Sequence, residues 1–276
     1  MKISSITLLL TLITATSTSH LTVAQETKTL TDNDANSNQP AYNNILSGAY
    51  GEGAGQYNLG YKYLHGKGVV QSNFEAKKWF DLAGKSNNPG VRYKIGRLYE
   101  TGVLYKKDII KAVFHYEFAS KKGDIYAINN LAILYLKGTG VTKDVDKAIT
   151  LFTQAAERNS IEAQVNLGLY YLNATPKDHS IKKALKWFTE AAKDNNPVAL
   201  YYLAEHAFAE KDYVKAYDYY LTSAQQSNDN AQLKLAMLYA KGLGIEKSQA
   251  ETLRWLKESA KLGNKKAIAM LKKIDK

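Results

Sequence analysis

Cysteine is absent from this chain, so it holds no disulfide framework, no thiolate nucleophile and no Cys-based zinc or iron–sulfur centre. Proline is scarce, with four residues in 276, which excludes a collagen-like or proline-rich chain. Past the N-terminus no apolar stretch approaches the roughly 20 residues that a spanning helix needs. Acidic charge is in deficit, with 26 Asp+Glu against 37 Lys+Arg. What is present is ordinary for a globular protein: 45% of residues are apolar and 23% charged, too many apolar groups for a chain disordered throughout.

The first residues read MKISSITLLLTLITATSTSHLTVAQ. One cation, Lys2, precedes an apolar run from Ile6 to Ile13, and small polar residues follow, with Thr22 and Ala24 at a cleavage edge. This three-part pattern predicts a secretory signal peptide over residues 1–24. Thr11, Thr14, Thr16 and Ser17 interrupt the run too early for a membrane anchor. With no Cys after the run, lipid attachment is excluded. Residues 25–40 (QETKTLTDNDANSNQP) offer almost nothing to a core and read as a flexible polar leader. The expected location is periplasmic or secreted, and a cysteine-free exported chain has no need of oxidative folding.

An internal repeat organises residues 41–276. A small residue recurs at Gly60, Gly96, Ala132, Gly168, Ala204 and Ala236, spaced by 36, 36, 36, 36 and 32. A second marker falls at Ala76, Ala112, Ala148, Ala184, Ala216 and Thr252. The four-residue deficit lies between Ala204 and Ala216. Each unit predicts two helices. In the first, an apolar residue just before the marker and a Tyr three after it (Tyr63, Tyr99, Tyr135, Tyr171 and Tyr239, with Ala207 in unit five) share one face. In the second, Trp79, Trp187 and Trp255 alternate with small residues, large knobs meeting holes as in stacked helix pairs. Glycine loops (HGKGVV, KGTGV, KGLGI) join the two helices, where φ > 0 turns are expected. No GxxxxGK[ST] element supports a phosphate-binding reading.

The third unit carries Ala127, Leu131, Tyr135, Gly138, Gly140, Val141, Asp144, Lys147, Ala148, Ala155 and Ala156. This AxxxLGxxYxxGxGVxxDxxKA…AA pattern resembles the Sel-one-like repeat (SLR), a relative of the tetratricopeptide repeat. The resemblance implies an all-α, right-handed α-solenoid of stacked antiparallel helix pairs, with repeats at 53–88, 89–124, 125–160, 161–196, 197–228 and 229–264 and a C-terminal cap at 265–276. Residues 41–52 resemble the tail of a second helix and are expected to cap the other end. Leu104 replaces a loop glycine in unit two, NATPKD replaces the whole loop in unit four, and unit five keeps only AEKD.

Nothing assembles a catalytic set. His65, His115, His179 and His206 lie in different units, none in a metal-ligand spacing, and no GxSxG elbow exists. His115 stands in a tryptophan slot, where a packed ring is the plain expectation. The chain therefore reads as a non-enzyme with no cofactor; a hydrolase acting on envelope material is the remote alternative.

The first helices of such a solenoid line its concave side. The positions three before and one after the first marker avoid the core stripe, yet they hold Tyr57, Tyr61, Tyr93, Arg97, Asn129, Ile133, Leu169, Tyr201 and Met237. Tyr and Arg are frequent interface anchors, so these nine residues are the expected partner-binding face; stacking between repeats is the competing explanation. Residues 231–276 hold eleven Lys/Arg and four Asp/Glu, a basic tip suited to an acidic protein or an anionic envelope surface, or to a solvated solenoid end. Nucleic acid is not expected of an exported chain without base-stacking motifs. The resulting expectation is an exported bacterial adaptor for another protein. By resemblance alone, a narrower version is a periplasmic immunity protein that neutralises a secreted phospholipase-type toxin. In a eukaryotic secretory lumen, Asn173-Ala174-Thr175 would instead accept a glycan.

Overall fold

The computed structural model describes residues 51–175 and 178–274. The expected signal segment, the leader and the cap up to residue 50 lie outside the described residues. Among the described residues there are thirteen helices and no strand. They fall into two compact units, one ending at Ser160 and one beginning at Ile161. The first holds three helix pairs: α1 (Gly51–His65) with α2 (Asn73–Ala83), α3 (Pro89–Thr101) with α4 (Ile109–Lys121), and α5 (Ile125–Lys137) with α6 (Val145–Ala156). The second holds α7 (Ile161–Asn173) with α8 (Ile181–Lys193), α9 (Pro197–Ala209) with α10 (Tyr213–Gln225), α11 (Asp229–Lys241) with α12 (Gln249–Lys261), and a last helix α13 (Lys265–Ile274).

Side chains start nearly every helix. Ser72, Asp108, Asp144, Ser180, Asp212 and Ser248 each sit four residues before a second marker and accept the N–H three residues on. Asn88, Asp124, Asn196 and Asn228 do the same for first helices. Such caps contribute about 1 kcal/mol apiece. Gly102, Gly138 and Gly242 end first helices in the left-handed conformation, as the glycine loops led one to expect. In unit two the missing glycine is not compensated by a new turn: Leu104 itself adopts φ +81°.

The core seam takes in one position more than the sequence reading gave it. The largest fully buried side chains of the second helices are not the tryptophans but the next position along. Phe80, Tyr116, Phe152, Phe188, Tyr220 and Leu256 are all at most 1% exposed. In the tryptophan slot, Trp187, Trp255 and His115 are buried as well, while Trp79, Leu151 and Tyr219 are half-buried. Consecutive helical residues point about 100° apart, so one slot faces the paired first helix squarely and the other meets its edge. The small first marker exists for this ring. A Cβ on Gly60 would lie 2.8 Å from the Phe80 ring, and one on Gly96 2.6 Å from the Tyr116 ring. Gly168 meets Phe188 in the same way.

The loop between paired helices reaches back over the second helix of the preceding repeat. Tyr105 donates its hydroxyl to Asp81 of α2 at 2.8 Å. A Cβ on Gly140 would meet the Ile109 side chain of α4 at 2.5 Å, and Gly244 lies against the Tyr213 backbone of α10.

Candidate functional site

The nine expected face residues separate into two groups. Asn129, Ile133, Tyr93 and Leu169 are buried, at 0%, 2%, 7% and 8% exposure. Tyr57, Tyr61, Arg97, Tyr201 and Met237 are half-buried. Packing between neighbouring repeats accounts for Tyr93. Tyr93 stacks on Tyr126 of α5, with ring centroids 5.6 Å apart, and touches Tyr116 at 5.9 Å. The Asn129 amide donates to Oδ1 of Asn130 at 3.3 Å, a polar pair wholly inside the first unit.

In the first unit the accessible remainder is aromatic and cationic. Lys94, exposed, holds its ammonium 5.2 Å over the Tyr57 ring. Tyr57 packs on Phe80 at 5.0 Å, and burial, followed by its neighbour Tyr61, pushes its hydroxyl up to about 12. Tyr61 leans on His65 at 4.3 Å with Lys67 5.1 Å above its ring. Arg97 reaches the Tyr93 hydroxyl at 3.4 Å and lies 3.6 Å from Glu100. That carboxylate also accepts the Tyr116 hydroxyl at 2.6 Å.

The second unit has the opposite sign at the equivalent place. Glu205 stands where Arg97 does in its repeat. It accepts the hydroxyl of Tyr220, whose proton is held more tightly than usual by burial and by that carboxylate. Lys234 closes an ion pair to Glu205 at 2.7 Å.

One recurring contact escaped the sequence reading. The Lys before the second marker lies over the Tyr three after the first: Lys111 over Tyr99 at 5.2 Å, Lys147 over Tyr135 at 4.0 Å, Lys183 over Tyr171 at 4.9 Å. Each pair is separated by the same twelve residues, and that spacing was the available signal. These are structural cation–π contacts, on the order of 0.5–1 kcal/mol each where exposed, and in the Lys147 pair the ammonium also donates to the Tyr135 hydroxyl at 2.6 Å.

His115 and Ser180, of residue types that serve in catalysis elsewhere, are similarly occupied. His115 is buried, its ring parallel to Tyr99 at 5.8 Å, and Nδ1 lies 3.3 Å from an Arg92 nitrogen. Burial, then Arg92, pushes its pKa down to about 4; a neutral ring accepting from the guanidinium fits both. Ser180 and Lys183 meet the Ser-x-x-Lys spacing of some serine hydrolases, but the Ser180 hydroxyl caps α8 by accepting the Lys183 N–H. Among the described residues no group of three or more His, Asp or Glu is arranged to hold a metal ion. No described helix is long and apolar enough to cross a membrane. At the basic end, Lys257, Lys265, Lys266, Lys272 and Lys273 are exposed. Lys261 pairs with Glu258 at 2.6 Å, and Lys276 lies outside the described residues.

Six segments, 53–88, 91–124, 125–160, 161–196, 197–228 and 229–264, match the Sel1 repeat. The chain belongs to the Sel1 repeat family. Each matched segment holds one of the helix pairs above, and the all-α solenoid follows from it. Repeats of this family are protein-interaction scaffolds, generally without enzymatic activity. Among solved structures, the chain is similar to c5321, a protective antigen of uropathogenic Escherichia coli strains with an SLR fold. The identity is 26% and the TM-score 0.73, over 84% of this chain and 50% of that one. It is also similar to a Sel1 repeat protein from Oxalobacter formigenes, at 30% identity and TM-score 0.69, over 76% of this chain and 88% of the other. The immunity protein PA5088 of Pseudomonas aeruginosa shares the fold at 19% identity and TM-score 0.51, over 76% of this chain and 82% of that one. Among curated proteins, HRD3B of Arabidopsis thaliana, an ERAD-associated E3 ubiquitin-protein ligase component, is 38% identical over 52 residues. That match covers 18% of this chain and 9% of the relative, so the similarity spans a small part of that protein's length.

Proposed function

We propose that this chain is an exported scaffold that binds a partner protein on the first-helix face of its N-terminal unit, through Tyr57, Tyr61, Lys94 and Arg97. One observation carries the reading. In a fold whose relatives bind proteins, two half-exposed tyrosines and two cations converge there, while the remaining face positions of that unit are taken up by packing. Export rests on the signal-like N-terminus, and the mature protein begins near Gln25, in a bacterial periplasm or beyond it. The basic C-terminal end adds long-range attraction to an acidic partner or an anionic envelope surface.

The immunity-protein version has no residue-level support here, since the likeness to PA5088 extends to the fold. It differs in outcome: one tight, stoichiometric partner rather than several weaker ones.

The test compares mature residues 25–276 with a Tyr61→Ala/Lys94→Glu variant as baits in envelope extract from the source organism. Lys94 is exposed and Tyr61 is half-buried at the edge of the core, so the melting temperature of the variant is measured beside capture. A partner retained by the first bait and lost by the second, at unchanged melting temperature, is the expected result. Equal retention by both would remove this face from the account. Substituting Tyr93 would be a poor choice, because its ring is packed against Tyr116 and Tyr126.

A further inference from the structure

The four-residue deficit in the fifth repeat has a spatial consequence. In repeats three and six the inter-helix loop covers the start of the preceding second helix, with Gly140 against Ile109 and Gly244 against Tyr213; in repeat two Tyr105 reaches further along α2, to Asp81. The fifth repeat joins α9 to α10 through Glu210, Lys211 and Asp212 alone. Nothing of that loop is left to cover the start of α8. Ile181, the counterpart of Ile109 and Tyr213, is accordingly 48% exposed.

A cavity of about 180 Å³ opens there, walled among the described residues by Leu172, Ile181, Leu185, Phe188 and Tyr202. Glu205 and His206 carry its polar groups. Tyr202 is the departure that makes the wall: the same position is Asn58, Lys94, Asn130, Asn166 and Lys234 in the other repeats. Its ring lies parallel to Phe188, 5.0 Å away at an interplanar angle of 8°. An apolar cavity of roughly 150 Å³ is large enough for a benzene ring.

The structure assigns this cavity as a receptor for one apolar side chain, aromatic or branched, presented on a tight turn by a partner polypeptide that takes the place of the missing loop. The occupant's chemistry is read from the chain's own loops. At the matching loop positions the other repeats present Tyr105, Val141 and Ile245, each buried or half-buried against its neighbours. The site lies in the second unit and stands whether or not the first-helix face of the first unit binds.

The probe is p-cresol, the tyrosine side chain as a free molecule, titrated into the mature chain with methyl-labelled Leu and Ile and followed by NMR. Saturable shifts confined to Leu172, Ile181 and Leu185 are expected in the millimolar range. Two variants close the site in different ways. Leu185→Trp fills it, and replacing Glu210–Asp212 with the sequence of residues 138–144 restores a loop over it. Each is expected to lower the shifts at least tenfold at equal probe concentration, and the loop graft is expected to raise the melting temperature. Absence of saturable shifts in the parent overturns the assignment, as do shifts that persist in a folded variant of either kind.

Discussion

At the residue scale, the paired helices are set by one glycine and one ring. Gly96→Ala places a Cβ within 2.6 Å of the Tyr116 ring, and overpacking of this kind costs about 1–3 kcal/mol. Alanine's better helix propensity recovers only about 1 kcal/mol. A net loss of stability is therefore expected in chemical denaturation, and Tyr116→Leu in the same chain should make the alanine tolerable. His115 supplies a pH dependence whose sign follows from its shift. Its folded pKa, about 4, is below the ordinary 6.5, so between these values the unfolded chain binds more protons and stability falls as pH falls. The loss across that window is about 3 kcal/mol at most. His115→Trp places in this slot the residue of Trp79, Trp187 and Trp255 and is expected to flatten the melting temperature between pH 4 and 6.5. An unchanged slope would assign the dependence elsewhere.

At the element scale, left-handed residues close the turns. Lys211 holds φ +63° at an exposed turn between α9 and α10, where an L-residue costs about 1–2 kcal/mol. Lys211→Gly is expected to stabilise the chain by about 0.5–1 kcal/mol after glycine's own entropy cost, read as a rise of a few degrees or less in melting temperature. The twelve-residue Tyr–Lys pairs make a separate claim: Lys147→Met should lower stability by about 0.5–1 kcal/mol, with the loss removed when Tyr135 is already Leu. Much of this architecture was legible beforehand. The 36-residue spacing, the glycine loops and the helix pairs follow from residue type at fixed intervals, because the left-handed φ at Gly138 and Gly140 is a local property of the backbone. The second ring slot was obscured because Phe, Tyr and Leu share it, while the conspicuous tryptophans sit one residue earlier. The face residues mixed two causes that one sequence cannot separate: Ile133 and Asn129 are apolar or uncharged because they are packed, Tyr61 while remaining half open. The shortened fifth repeat was visible as a count; the cavity it opens depends on what the absent loop would have covered.

At the scale of the whole molecule, the proposed function gives the two ends of the chain different tasks. On the proposal that the exposed lysines of α12 and α13 attract an acidic partner, affinity is expected to fall steeply as ionic strength rises from 50 to 300 mM, because the Debye length shrinks from about 14 to about 6 Å. A flat response would leave the basic end as a solvated terminus. On the proposed function, a protein docks on the first-helix face of the N-terminal unit. Hydrogen–deuterium exchange on the isolated complex tests it most directly. The account expects protection in peptides covering residues 57–65 and 94–101 and none over the second-helix surface at residues 73–78 and 109–114. Protection confined to those second-helix segments, with the first-helix face exchanging as in the free chain, would contradict it.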